Sequence, residues 1–180
     1  MSKVLVVIDM QNDFITGSLG TKEAQGIVEK VVDKIESYKA AGCQVIYTRD
    51  THHEHYLETS EGRKLPVKHC IQGTWGWQLH EAIAKTVVSA EQVYDKPSFG
   101  SIALGEAMKE LADEDQDLEI ELVGLCTDIC VISNALLIKA YTPETEIYVD
   151  ASCCAGVTPE SHKNALTAMK MCQIEIVNEE

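Results

Sequence analysis

The sequence is short of cations, aromatics and proline, and it has no long apolar run. Lysine and arginine total 15 against 29 acidic residues, a formal net charge of −14. So acidic a chain has no basic face for phosphates, which excludes non-specific nucleic-acid binding, and it gives no attraction to an anionic membrane. A small neutral or cationic ligand remains compatible. The opening MSKVLVVIDMQNDF holds about six apolar residues before Asp9, too few for a signal h-region or a membrane span. No CxxC pair occurs, so a structural zinc knuckle is not expected. The seven cysteines are odd in number and scattered, and a chain this long needs no covalent staples. Both features suggest a reducing, cytoplasmic location.

What is present fits one domain over residues 1–180, with an ordinary hydrophobic fraction of 45%. Lys3–Ile8 is a continuous β-branched run, as expected of a strand buried on both faces. A helix is expected over Glu23–Ala41, where Val28, Val31, Val32, Ile35 and Tyr38 recur at helical spacing and Gly42 marks the stop. Further strands are expected at Gln44–Thr48, Gln92–Tyr94, Leu118–Val123, Thr145–Val149 and Gln173–Val177. Helices are expected at Gln78–Lys85, Ile102–Leu111 and Asp128–Tyr141, the last apolar on nearly all sides and so central. Thr158-Pro159 opens a final helix with an N-cap and a proline at its first position. The alternation predicts an α/β fold, a three-layer α-β-α sandwich around a mostly parallel six-stranded sheet.

Ligands of such sheets bind outside the C-terminal ends of the strands. Those ends carry Asp9, then Asp50-Thr51-His52, then Asp95-Lys96, then Cys126–Cys130. Cys130 would sit in the first turn of the central helix, where free amides and the dipole favour a thiolate. Alone it also reads as a small apolar filler. Beside a lysine and a carboxylate on neighbouring strand ends, it reads as a nucleophile. Asp9 could equally cap a turn, and Lys96 could be a surface residue. If Asp9 is buried it needs a partner, and Lys96 is the natural one. Cys126 is expected to pack.

The segment Arg49–Thr74 is long and irregular, and four of the chain's six histidines lie in it. Asp50 and His52 alternate along an extended stretch, so they point the same way, and His69 arrives later. Two imidazoles and a carboxylate suit Zn²⁺, Fe²⁺ or Mn²⁺, with Glu61 as a further ligand. The same composition also describes a solvated polar loop. His53 and His55 are expected to face solvent.

The motifs DMQNDF at 9–14, RDTH at 49–52, LPVKHCIQGT at 65–74, DKPSF at 95–99, GLCTDICV at 124–131 and DASCCAGVTPESH at 150–162 together resemble the isochorismatase-like cysteine hydrolases. The Asp-x-His pair with a later Pro-x-x-His-Cys resembles their nicotinamidase (pyrazinamidase) branch. The resemblance implies a catalytic triad of Asp9, Lys96 and Cys130, and a divalent metal, zinc foremost, on Asp50, His52 and His69, with Glu61 a possible fourth ligand. It implies a cis peptide at Leu125–Cys126, which would aim the Cys126 amide, with that of Cys130, at an oxyanion. The reaction implied is hydrolysis of nicotinamide to nicotinate and ammonia through a Cys130 thioester, a step of NAD salvage. Phe14 and Trp75 would wall a flat substrate. Homo-oligomers are common in the family. Pro97, where many nicotinamidases have glycine, and the loop between His52 and His69 depart from the pattern and bear on substrate choice. Rival readings are an amidase for a ureidoacrylate or carbamoyl compound, an isochorismate hydrolase, or a non-catalytic thiol sensor for which Cys153-Cys154 would matter.

Overall fold

A computed structural model describes residues 2–179. The β-branched runs form strands β1 (Lys3–Ile8), β2 (Gln44–Asp50), β3 (Val93–Lys96), β4 (Glu119–Leu125), β5 (Glu146–Ala155) and β6 (Glu175–Val177). Between them lie helices α1 (Asn12–Ile15), α2 (Lys22–Gly26), α3 (Val28–Ala40), α4 (Ser60–Lys64), α5 (Glu81–Ala84), α6 (Ile102–Glu114), α7 (Ile132–Tyr141) and α8 (Pro159–Met171). The sheet runs β3-β2-β1-β4-β5-β6, and every neighbouring pair is parallel. The expected mostly parallel sheet is therefore wholly parallel.

The alternation of β1 builds both faces. Val4, Val6 and Ile8 pack with Leu104 and Met108 of α6, Ala135 and Ile138 of α7, and Leu166 of α8. Leu5 and Val7 point the other way, onto Val28, Val31 and Ile35 of α3. Burying each such side chain contributes about 1.5–3 kcal/mol. The chain leaves β1 toward β2 and β3 on one side and returns to place β4 on the other. The ends of β1 and β4 thus flank a topological switch point, where parallel sheets open a crevice. Gly124, next to that point, has φ +117°, and a Cβ there would lie 2.2 Å from the Ile8 carbonyl oxygen, so only glycine fits.

Several element bounds differ from expectation. The predicted helix over Glu23–Ala41 is interrupted at Ile27, after Gly26, the poorest helix former in that stretch. The helix expected from Asp128 begins as a wide π turn over Thr127–Val131, with the Val131 amide donating to the Cys126 carbonyl at 3.0 Å. Nor is α7 enclosed on all sides, since Leu136 is 37% exposed. The predicted helix at Gln78–Lys85 shrinks to α5, because His80 caps it. Strands β2, β3, β4 and β5 all run further than their apolar stretches, so Asp50 and Lys96 are strand residues. In β5 the extension passes through a register shift, with Leu122 opposite Val149 but Gly124 opposite Cys154. Thr158 caps α8 as expected, and Pro159 is its first residue.

One buried charge cluster lies under α3. Lys34 Nζ is 2.9 Å from Glu121 Oε1 and 2.7 Å from Asp150 Oδ2. Asp150 also accepts from the Ser152 amide at 2.9 Å, the Ser152 hydroxyl at 2.7 Å and Asn178 Nδ2 at 2.9 Å. Burial alone would raise the Asp150 carboxyl, but the hydrogen bonds from Lys34, Ser152 and Asn178 outweigh it and hold the group below its ordinary value. A carboxyl lowered by folding adds stability above its unfolded value and loses it as pH falls through the folded one. Asp150→Asn is accordingly expected to cost about 2 kcal/mol at neutral pH. In urea titrations the gap from wild type should narrow below about pH 4; a gap independent of pH would contradict this assignment.

Candidate active site

Four strand ends deliver the site. Asp9 directly follows β1 in a left-handed conformation, φ +47°, which turns its carboxylate into the interior. Thr48 of β2 holds it from two directions: the Thr48 hydroxyl donates to Asp9 Oδ1 at 2.6 Å and accepts from the Asp9 amide at 3.2 Å. Lys96 ends β3 fully buried. Its Nζ lies 2.7 Å from Asp9 Oδ2, 3.3 Å from Cys130 Sγ and 3.4 Å from Asp50 Oδ1, and it donates to the Ser98 carbonyl at 3.1 Å. Asp9, Lys96 and Cys130 therefore come together, with the ammonium touching the other two groups. Asp9 Oδ2 is ion-paired but makes no directed hydrogen bond, which leaves a lone pair open to a proton.

The electrostatics differ from the expected stabilised thiolate. Burial pushes the Cys130 thiol well above its ordinary value, and the Asp9 charge adds to this, while Lys96 pulls the other way. Burial likewise raises Asp9, against the opposing charge of Lys96. Burial would depress the Lys96 ammonium, but Asp9, Cys130 and Asp50 together outweigh it and hold it charged. Both the Cys130 thiol and the Asp9 carboxyl therefore hold a proton more tightly than they would in water. In so dry a pocket the helix terminus and one lysine cannot offset desolvation. The peptide joining Leu125 to Cys126 is cis.

A second cluster adjoins the first. His52 Nε2 lies 2.9 Å from Asp50 Oδ2 and 3.6 Å from Glu61 Oε1; His69 Nε2 lies 3.5 Å and 3.6 Å from the same two atoms. One donor atom from each of Asp50, His52, Glu61 and His69 falls within 4.8 Å of all the others. His69 Nδ1 donates to the Val67 carbonyl at 2.8 Å, which turns Nε2 toward the carboxylates. His52 Nε2 is buried and makes no directed hydrogen bond, although Asp50 Oδ2 lies close by. An imidazole nitrogen without a directed hydrogen bond, in a set of four N and O donors of this kind, fits a divalent transition metal. His53 and His55 face solvent.

The loop carrying Glu61 and His69 is ordered around Tyr56, a residue the sequence pattern does not single out. Tyr56 is fully buried, its ring centroid lies 4.6 Å from that of His52 and 5.0 Å from that of His69, and its hydroxyl donates to the Leu65 carbonyl at 2.9 Å. Gly62 lets the loop close over it, because a Cβ there would lie 2.0 Å from the Tyr56 carbonyl oxygen. Gln11, fully buried, pairs with the main chain of Asp50: its Nε2 donates to the Asp50 carbonyl at 2.9 Å and its Oε1 accepts from the Asp50 amide at 2.7 Å. A buried glutamine between two acids of DMQNDF was the available signal for it.

Above both clusters opens a cleft of about 630 Å³, with Asp50, Glu61, His69, Cys126 and Cys130 in its lining. Its apolar walls are Phe14, Leu19, Leu65, Phe99, Ile129 and Val157. The Phe14 ring centroid lies 5.6 Å from that of His69. Trp75 does not line the cleft: it is 58% exposed in the turn after Gly73, where its carbonyl accepts from Asn12 Nδ2 at 2.8 Å. Phe99, 42% exposed at the mouth, is the second aromatic wall in its place.

Residues 3–180 match the Isochorismatase domain. The chain is 31% identical to the isochorismatase family protein PncA of Bacillus subtilis over 175 residues, covering 93% of each. It is 27% identical to the nicotinamidase/pyrazinamidase of Mycobacterium tuberculosis over 188 residues, covering 97% of this chain and 98% of the other. Among solved structures it is similar to the pyrazinamidase of Pyrococcus horikoshii in complex with zinc, with a TM-score of 0.80, 26% identity, and coverage of 99% of this chain and 100% of that one.

Proposed function

The chain belongs to the isochorismatase domain family, and from that premise we propose that residues 1–180 form one catalytic domain, a cysteine-dependent amidohydrolase acting on nicotinamide. The observation that carries the reading is the single ammonium of Lys96 in contact with both Asp9 and Cys130, with Cys130 itself in the lining of an aromatic-walled cleft. Hydrolase chemistry on an amide C–N bond is also what the names of the curated relatives describe.

Phe14 and Phe99 sandwich a flat ring and bring its carboxamide to Cys130. Asp9 Oδ2 takes the thiol proton as Sγ bonds to the carbonyl carbon. The resulting oxyanion is held by the Cys126 and Cys130 amides, each donor contributing about 3 kcal/mol. Protonated Asp9 passes its proton to the amide nitrogen, the C–N bond breaks, and ammonia leaves a thioester on Cys130. Asp9 then deprotonates a water, which cleaves the thioester to nicotinate and restores the thiol. Throughout, Lys96 balances negative charge on Asp9 or on sulfur. Asp50, His52, Glu61 and His69 would hold the divalent metal, for which we propose zinc, and when bound it supplies a Lewis acid at the cleft floor. Among the described residues, no helix is long and apolar enough to cross a membrane. The reading takes the enzyme as a cytoplasmic homo-oligomer, and the exposed apolar side chains Ile102 and Leu136 on α6 and α7 support the latter.

Ammonia release from nicotinamide, ureidoacrylate and a carbamoyl amino acid, measured side by side with isochorismate consumption, tests this. Nicotinamide is expected to be the best substrate. Dialysis against a chelator should lower its turnover by about a hundredfold, and Zn²⁺ should restore it. Preference for a ureido or carbamoyl compound would reassign the substrate. Hydrolysis of none, with peroxide switching a protein interaction, would establish the thiol sensor.

A further inference from the structure

Asn134 is the one side-chain amide in α7, whose other residues are mostly apolar (ISNALLIKAY). It lies one helical turn beyond Cys130 and is fully buried. A buried amide in an apolar helix persists only when its polar atoms are paired. All three of its bonds go to main-chain groups. Nδ2 donates to the Cys130 carbonyl at 2.8 Å and to the Phe99 carbonyl at 3.0 Å, while Oδ1 accepts from the Ser101 amide at 2.9 Å.

These partners belong to two separate segments. One is the π turn that carries the nucleophile. The other follows Lys96 and carries Phe99 to the cleft mouth. Lys96 already joins the two at one point, through its contacts with Cys130 Sγ and the Ser98 carbonyl. Asn134 joins them at a second, on the main chain, so the two segments cannot rotate about the Lys96 contact. We infer that Asn134 is a positioning residue for the cysteine chemistry, locking the Cys130 turn to the Phe99 wall so that thiol, ammonium and aromatic wall keep one register. The inference rests on Cys130 being the nucleophile of the proposed reaction.

Asn134→Asp is nearly isosteric and keeps the acceptor for the Ser101 amide, but it sets an oxygen against the Cys130 and Phe99 carbonyls. Thr142→Val is the control: Thr142 is buried at the far end of α7, where its hydroxyl donates to the Ile138 carbonyl at 2.9 Å and touches neither segment. Two readouts are taken well below the melting temperature of each variant: kcat and KM for ammonia release, and the rate at which iodoacetamide alkylates Cys130, followed by peptide mass mapping. N134D is expected to lose about a hundredfold in kcat, the scale of a misplacement near 1 Å, and to alter Cys130 alkylation at least about fivefold. T142V should keep both within about twofold of wild type. If N134D does not fold, Asn134→Ser, which retains one donor, carries the same comparison. Wild-type kcat and alkylation in the Asn134 variant, or losses that merely track melting temperature in both proteins, would overturn the assignment. The alkylation arm needs no substrate, so it decides the positioning claim even if the protein hydrolyses no amide tested.

Discussion

Cys130→Ala is expected to abolish amide hydrolysis, with kcat falling by about 10⁴-fold or more, as when the nucleophile of a concerted catalytic group is removed. The expectation follows from the geometry at sulfur. Lys96 Nζ lies 3.3 Å from Sγ and 2.7 Å from Asp9 Oδ2, so the thiol proton has a carboxylate acceptor within the same ion-paired group. No neighbouring thiol offers the same surroundings. Burial holds the Cys126 thiol up at about 12, and its backbone, not its sulfur, is assigned to the reaction. Alanine fills nearly the volume of the buried thiol, so melting temperature should change little. Acid quenching of wild type during turnover should trap an acyl adduct on the peptide containing Cys130, and the variant should show none. Retention of wild-type ammonia release by the alanine variant would falsify the cysteine mechanism outright.

Lys96→Met should affect both stability and turnover. Lys96 is the shared counter-ion of two buried carboxylates, Asp9 and Asp50. Methionine fits the channel of its stem but leaves those acids facing each other without a cation. Removing one partner from a buried ion pair costs about 3–5 kcal/mol. Both carboxyls and the Cys130 thiol should then hold their protons more tightly, since Lys96 lowers each of them. Asp9 would no longer accept the thiol proton near neutrality, and kcat is expected to fall by at least about a thousandfold. Denaturant titration gives the stability and single-turnover assays the chemistry. A variant within about 1 kcal/mol of wild type and within tenfold in rate would mean that the ammonium is not the keystone of the site.

How much of this is legible in the sequence depends on the distance over which each residue's role is decided. Asp9 stands directly after an apolar run, and Asp50, Lys96 and Cys130 follow theirs within a few residues; parallel sheets gather such positions at one edge, so their convergence can be read from the runs. The Asp50–His52 alternation is equally local. Thr48 hides inside a strand pattern because its hydroxyl matters only once β1 lies beside β2. Asn134 is a single polar letter in an apolar helix, with partners more than thirty positions away in Phe99 and Ser101. Trp75 and Phe99 show the same limit from the other side. Both are aromatic and near motif residues, and only the loop path decides which one reaches the cleft. The break at Ile27 and the π turn at Thr127–Val131 are one-residue changes in backbone pairing that side-chain periodicity does not register.

The position of Lys96 has a consequence for how such a site can change over time. Its ammonium sits between the carboxylate assigned to proton transfer and the carboxylate at the edge of the candidate metal-binding cluster. Remodelling the ion-binding half therefore redistributes positive charge on the proton-handling half within the reach of one side chain. Neither half can wander independently, and a descendant with new specificity has to find it in the cleft walls, where Phe99 and Leu65 are free to vary without disturbing that shared cation.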